Sequence, residues 1–103
     1  MAKTSDAIKI INKIISSDPE LELMVESASI NAEVAQLIYE ARTKAGLTQK
    51  QLAELVDTKQ PVIARLEDAD YEGHSLSMLQ KIAHALNQRV VIQLAPMEHE
   101  QSA

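Results

Sequence analysis

Isoleucines at positions 8, 11, 14 and 15 recur at the spacing of one helix face, with Lys9 and Lys13 on other faces. The chain therefore opens on an amphipathic helix, which Ser5 and Asp6 can cap and which should end near Ser16. Asp18-Pro19-Glu20 is a restart signal. Asp18 offers a capping carboxylate, Pro19 lacks an N–H where none is needed, and Glu20 lies near the positive helix end. A short helix to about Glu26 is expected next. Another follows, capped by Ser29 or Asn31, with Val34, Leu37, Ile38 and Ala41 as its buried stripe and Gly46 as its stop.

Beyond Gly46 the connections shorten. Thr48 caps a compact helix carrying Leu52, Ala53 and Leu55, Asp57-Thr58 makes a turn, and a helix from about Lys59 to Asp68 faces inward with Val62, Ile63 and Leu66. A loop around Gly73 leads to Ser75, which caps a helix carrying Leu76, Leu79, Ile82, Ala83 and Leu86; Asn87 can take the left-handed conformation that ends it. Arg89 to Leu94 is β-branched and roughly alternating, bounded by Pro96, and reads as a lone strand. A lone strand leaves its backbone unpaired, so Val90, Val91, Ile92 and Leu94 are expected to pair with their copies in a second subunit. The polar tail from Met97 is expected to fray.

Composition narrows the class. The 103 residues suit one small core, near the size at which self-association often completes it. Phe and Trp are absent, so the core must be aliphatic, the palette of packed helices. The fold class expected is mainly α. Without cysteine there is no disulfide, thiol nucleophile or thiolate metal site, which suits a reducing cytoplasm. No apolar run approaches the roughly 18 residues of a membrane span and no signal region opens the chain, so a cytoplasmic protein without a membrane partner is expected.

The net charge of -5 opposes nucleic-acid binding, but its distribution does not. From Arg42 to Arg65 the cations Arg42, Lys44, Lys50, Lys59 and Arg65 meet only Glu54 and Asp57, so one basic window, net +3, sits in an otherwise acidic chain.

Leu47-Thr48-Gln49-Lys50-Gln51-Leu52-Ala53-Glu54-Leu55-Val56, followed by Thr58-Lys59-Gln60-Pro61-Val62-Ile63-Ala64-Arg65-Leu66-Glu67, closely resembles the Cro/lambda-repressor-like, XRE-type helix-turn-helix. The likeness covers about Ala32 to Leu86 and implies a helix-turn-helix bundle at 32–88, between an N-terminal helical extension at 1–31 and a dimerisation strand at 89–95 with a tail at 96–103. The residues fit it independently. Ala53 is small where two helices cross, Asp57 stands where many relatives carry glycine and tolerates left-handed geometry, and Pro61 in a first turn forfeits no hydrogen bond. Such a motif lays its second helix in the major groove of double-stranded DNA. The resemblance places Lys59 and Gln60 at its leading end, where Gln can bond adenine and Lys guanine, and Arg65 further along. Gln49 matches a position that contacts phosphate and braces that helix, and Lys44 and Lys50 flank it as phosphate contacts or simply as solvated residues. Arg42 and Glu67 match positions that form an internal ion pair.

A leading helix, Asp18-Pro19-Glu20-Leu21, the motif, Glu67-Asp68-Ala69-Asp70 and the closing strand look like HigA-type antitoxins of toxin–antitoxin modules. That likeness implies a repressor of its own operon that binds a small basic ribonuclease toxin. Asp6, Asp18, Glu20, Glu22 and Glu26 outnumber Lys3, Lys9 and Lys13 and have the right sign for one, although a solvated face would look the same. A free-standing or prophage-type regulator, or a protein-interaction module that no longer needs DNA, are the alternatives. RNA is disfavoured, with only Tyr39 and Tyr71 to stack on bases. No enzyme is expected: the two glycines build neither a nucleophile elbow nor a phosphate loop, and no catalytic residue stands out. No cofactor or metal is expected either. His74 falls in a loop, and pairing His84 with Glu100 or His99 with Glu98 matches no ligand spacing.

Overall fold

The computed structural model describes residues 2–97; the expected tail contacts of Glu98, His99 and Glu100 lie outside them. Five helices form among the described residues: α1 (Ala2–Ser16), α2 (Pro19–Lys44), α3 (Gln49–Leu55), α4 (Gln60–Leu66) and α5 (Leu76–Ala85). Helix α1 starts at Ala2, so Ser5 and Asp6 lie inside it rather than at its cap. Asp18 accepts from the backbone N–H groups of Glu20 and Leu21 at 3.1 and 3.3 Å, and Pro19 opens α2. Thr48 and Gln51 close a reciprocal capping box on α3, with bonds of 3.0 and 2.8 Å. Ser75 caps α5 through Met78 N–H at 3.2 Å.

Three helices end alike. Gly46, Asp57 and Asn87 have φ of 75°, 58° and 60°, the left-handed region. At each, the next N–H reaches back five residues: Leu47 to the Arg42 carbonyl, Thr58 to Ala53 and Gln88 to Ala83, at 3.2, 2.8 and 2.7 Å. These are Schellman closures, and they satisfy carbonyls the helix leaves unpaired.

Helix α2 corrects the expectation of two helices. It runs unbroken for 26 residues, through Glu26, Ser29 and Asn31. No glycine or proline lies between Pro19 and Gly46, and Ser or Asn inside a helix costs only a few tenths of a kcal/mol against Ala. Its buried arc is Ala35, Ile38 and Arg42, so Leu37, expected inside, is 59% exposed. Leu55 and Leu76 also face out.

The core is Ile38, Leu52, Ala53, Val56, Ile63, Leu66 and Ile82, with Val34, Val62, Tyr71, Met78, Leu79 and Leu86 packed against it. Leu52 and Ile63 are sealed completely, and α3 packs against α4, where Ala53 is buried. After α4 the chain tucks His74 under the helix end: its Nε2 lies 2.7 Å from the Leu66 carbonyl and its ring meets Tyr71 edge-on at 5.0 Å. A Cβ at Gly73 would collide with the Tyr71 ring, which explains the glycine there.

The expected strand is not formed: among the described residues no strand occurs, and 89–94 runs without regular structure. A strand needs a facing ladder, and one chain contains none. Val90 is half-buried, while Val91, Ile92 and Leu94 are 74%, 66% and 96% exposed.

Candidate nucleic-acid interface

Helix α4 is short and begins tightly. Lys59 is its N-cap without a side-chain hydrogen bond, and Pro61 sits in the first turn. Ile63 and Leu66 point into the core, so a rotation of about 100° per residue turns Pro61, Ala64 and Arg65 to the opposite side, with Gln60 flanking them at the first turn. Gln60, Pro61 and Arg65 are exposed and Ala64 is half-buried. The resemblance marks Lys59 and Gln60 as the leading readers, with Arg65 further along; the helix puts the apolar Pro61 and Ala64 between Gln60 and Arg65. The signal was the same helical period, applied to polar and apolar positions alike.

A chain of hydrogen bonds ties this face to the core. Arg42, only 8% exposed, donates from Nε to Glu67 Oε2 at 2.6 Å, from Nη2 to Glu67 Oε1 at 3.0 Å and from Nη1 to the Leu47 carbonyl at 2.7 Å. Gln49 Nε2 donates to Glu67 Oε1 at 3.0 Å, and Gln60 Nε2 donates to Gln49 Oε1 at 2.7 Å. The pair thus joins α2 to the end of α4, orients the first side chain of α3, and through it the first of α4. Hydrogen bonding to Glu67 raises the Arg42 pKa above its ordinary value; burial opposes this, and the charges of Glu67 and Tyr39 add to the rise. The guanidinium also lies over the Tyr39 ring, 5.4 Å from its centroid.

Arg42, Leu47, Thr48, Gln49, Lys50 and Gln60 line one open groove of about 500 Å³. Lys59 precedes it, exposed at the α4 cap, and Arg65 is exposed in the last turn. Lys44 is exposed at the end of α2 but lines a different groove, with Glu40 and Gln88. Arg42 is spent on Glu67, so the cations that the stretch 42–65 offers outward are Lys44, Lys50, Lys59 and Arg65. Among the described residues no three His, Asp or Glu side chains gather as a metal site, and no helix is long and apolar enough to cross a membrane.

Two short helices packed across a tight left-handed turn, with Gln60 and Arg65 exposed on the second and Gln60 braced from the first, define a helix-turn-helix DNA-binding domain. A family model described as Helix-turn-helix matches residues 38–91, just over half the chain, and the chain belongs to that family, the XRE-type, Cro/lambda-repressor-like regulators of transcription. No curated protein matches the chain.

Proposed function

We propose that this chain is a homodimeric, sequence-specific transcriptional repressor serving as the antitoxin of a toxin–antitoxin pair. The observation that carries the DNA reading is the Gln60 carboxamide. One of its N–H groups is held by Gln49, which leaves Oε1 and the second N–H on an exposed helix face. That acceptor–donor pair is what the major-groove edge of adenine requires, and Pro61 and Ala64 beside it suit a thymine methyl. Lys59 and Arg65 reach a base or phosphate, Gln49, Lys50 and Lys44 meet the backbone, and Arg42 with Glu67 stays structural.

Dimerisation is assigned to Val90, Val91, Ile92 and Leu94, and the exposure of the last three in one chain is the cost a pairing strand would remove. Two copies then present two α4 helices to two half-sites of one operator. The antitoxin part rests on charge. Glu22, Glu26 and Glu33 share one side of α2 at helical spacing, suited to a basic toxin surface.

A mobility-shift titration on the DNA upstream of its own reading frame, with unrelated competitor, tests the reading. Gln60→Ala should weaken specific binding by about 1–3 kcal/mol, and Lys50→Ala should lower the salt slope by about one without changing sequence preference. Unchanged affinity in Gln60→Ala would refute the assignment. Capture of a co-expressed ribonuclease encoded beside it, lost on Glu26→Lys with Glu33→Lys, separates an antitoxin from a free-standing regulator.

A further inference from the structure

A groove of about 700 Å³ runs along the N-terminal half of α2, floored by Leu23, Met24, Ala28 and Ala32. Leu23 and Met24 are 65% and 64% exposed, so the chain leaves this floor uncovered. Its rim carries Glu20 from α2 and Asp70 and Glu72 from the loop after α4, and among the described residues no lysine or arginine lines it. By helical rotation it faces away from Glu22, Glu26 and Glu33, so it is a different surface from the toxin face proposed above.

Helix α1 has the complementary character. Ile8, Ile10, Ile11 and Ile14 form one apolar arc and each is more than half exposed. Lys3, Lys9 and Lys13 against Asp6 make α1 basic, where the groove rim carries three acids. The lengths agree: 15 residues of α1 span about 22 Å, and the stretch from Glu20 to Ala32 about 18 Å. Among the described residues, none from α1 of the same chain lines the groove. The radius of gyration is 17.4 Å, where a compact chain of this length has about 13 Å, so the chain is extended rather than folded back on itself.

We propose that the groove receives α1 of a second copy of this chain, reciprocally, so that two chains associate by exchanging their first helices. The isoleucine arc covers Leu23 and Met24, Ala28 and Ala32 allow close helix approach, and the lysines meet Glu20, Asp70 and Glu72. This contact needs neither DNA nor the terminal strand.

The chain has no cysteine, which makes a site-specific cross-link decisive. Full-length Ile11→Cys and Ala28→Cys chains are mixed and oxidised, with Ile11→Cys plus Gln88→Cys as the control pair. The expected result is a mixed disulfide dimer well above the control. Asp70→Lys with Glu72→Lys in the Ala28→Cys chain should reduce it about tenfold, and Lys9→Glu with Lys13→Glu in the other chain should restore it. Mixed disulfide no greater than the control overturns the proposal, as does a doubly substituted chain that closes on itself at high dilution, since α1 would then fill its own groove. A mobility shift on the unlinked wild-type chain is read separately: specific binding without the cross-link leaves the DNA reading standing and removes only the exchange.

Discussion

Arg42 is a cation placed where the helical stripe asks for an apolar side chain, and Glu67 is what makes that tolerable. Removing one partner strands a buried charge, so Arg42→Ala should cost about 3–5 kcal/mol, a large share of the 5–15 kcal/mol typical of a domain. Replacing both, as Arg42→Met with Glu67→Leu, should restore most of the stability in urea unfolding. Operator affinity should still fall, because Gln49 loses the acceptor that orients it and, through it, Gln60. A double variant that regains both stability and DNA affinity would show that the chain of hydrogen bonds is not functional. The raised Arg42 pKa stabilises the fold fully below the ordinary arginine value and is lost only as pH rises through the higher one. Unfolding measured from pH 6 to pH 9 should therefore show no step owed to Arg42.

Among the elements, the turn between α3 and α4 sets the angle at which the outward face is offered. Its pivot is Asp57 at φ 58°, a conformation costly for a residue with a Cβ. Asp57→Gly should gain about 0.5–1 kcal/mol and Asp57→Val lose more than 1 kcal/mol in urea unfolding, both with unchanged helix content by circular dichroism. A loss in the glycine variant would mean that the Asp side chain contributes more than the strain it causes. Helix α2 works at the same scale. Its C-terminal half carries the buried arc that seats α3 and α4, while its N-terminal half extends past the core with Leu23, Met24 and Ile30 exposed.

At the scale of the whole molecule, extents of 47 × 28 × 24 Å describe a small core with an arm. Apolar side chains are left exposed at both chain ends, on α1 and at Val91, Ile92 and Leu94. If the latter pair across copies, backbone amides at 90–94 should exchange slowly with deuterated solvent in the wild type and at free-coil rates in Val91→Asp with Leu94→Asp. Fast exchange in both would remove the strand interface.

What the residues determined alone was local. The left-handed stops at Gly46, Asp57 and Asn87, the caps at Asp18, Thr48 and Ser75, and Pro61 in a first turn were legible because each answers to backbone geometry within a few residues. Most of the core was legible too, since Ile38, Leu52, Ile63, Leu66 and Ile82 follow the helical period. The break expected near Ser29 was misread because polar residues permit a cap without compelling one, and only the uninterrupted backbone of α2 decided between them. Long-range contact decided the rest: Glu67 as the shared acceptor of Arg42 and Gln49, His74 closing the end of α4, Leu37, Leu55 and Leu76 turned outward, and 89–94 left unpaired. Periodicity states which residues share a face. It does not state what that face meets, and a strand, a buried charge and an apolar arm are each completed by a partner that lies far along the chain or outside it.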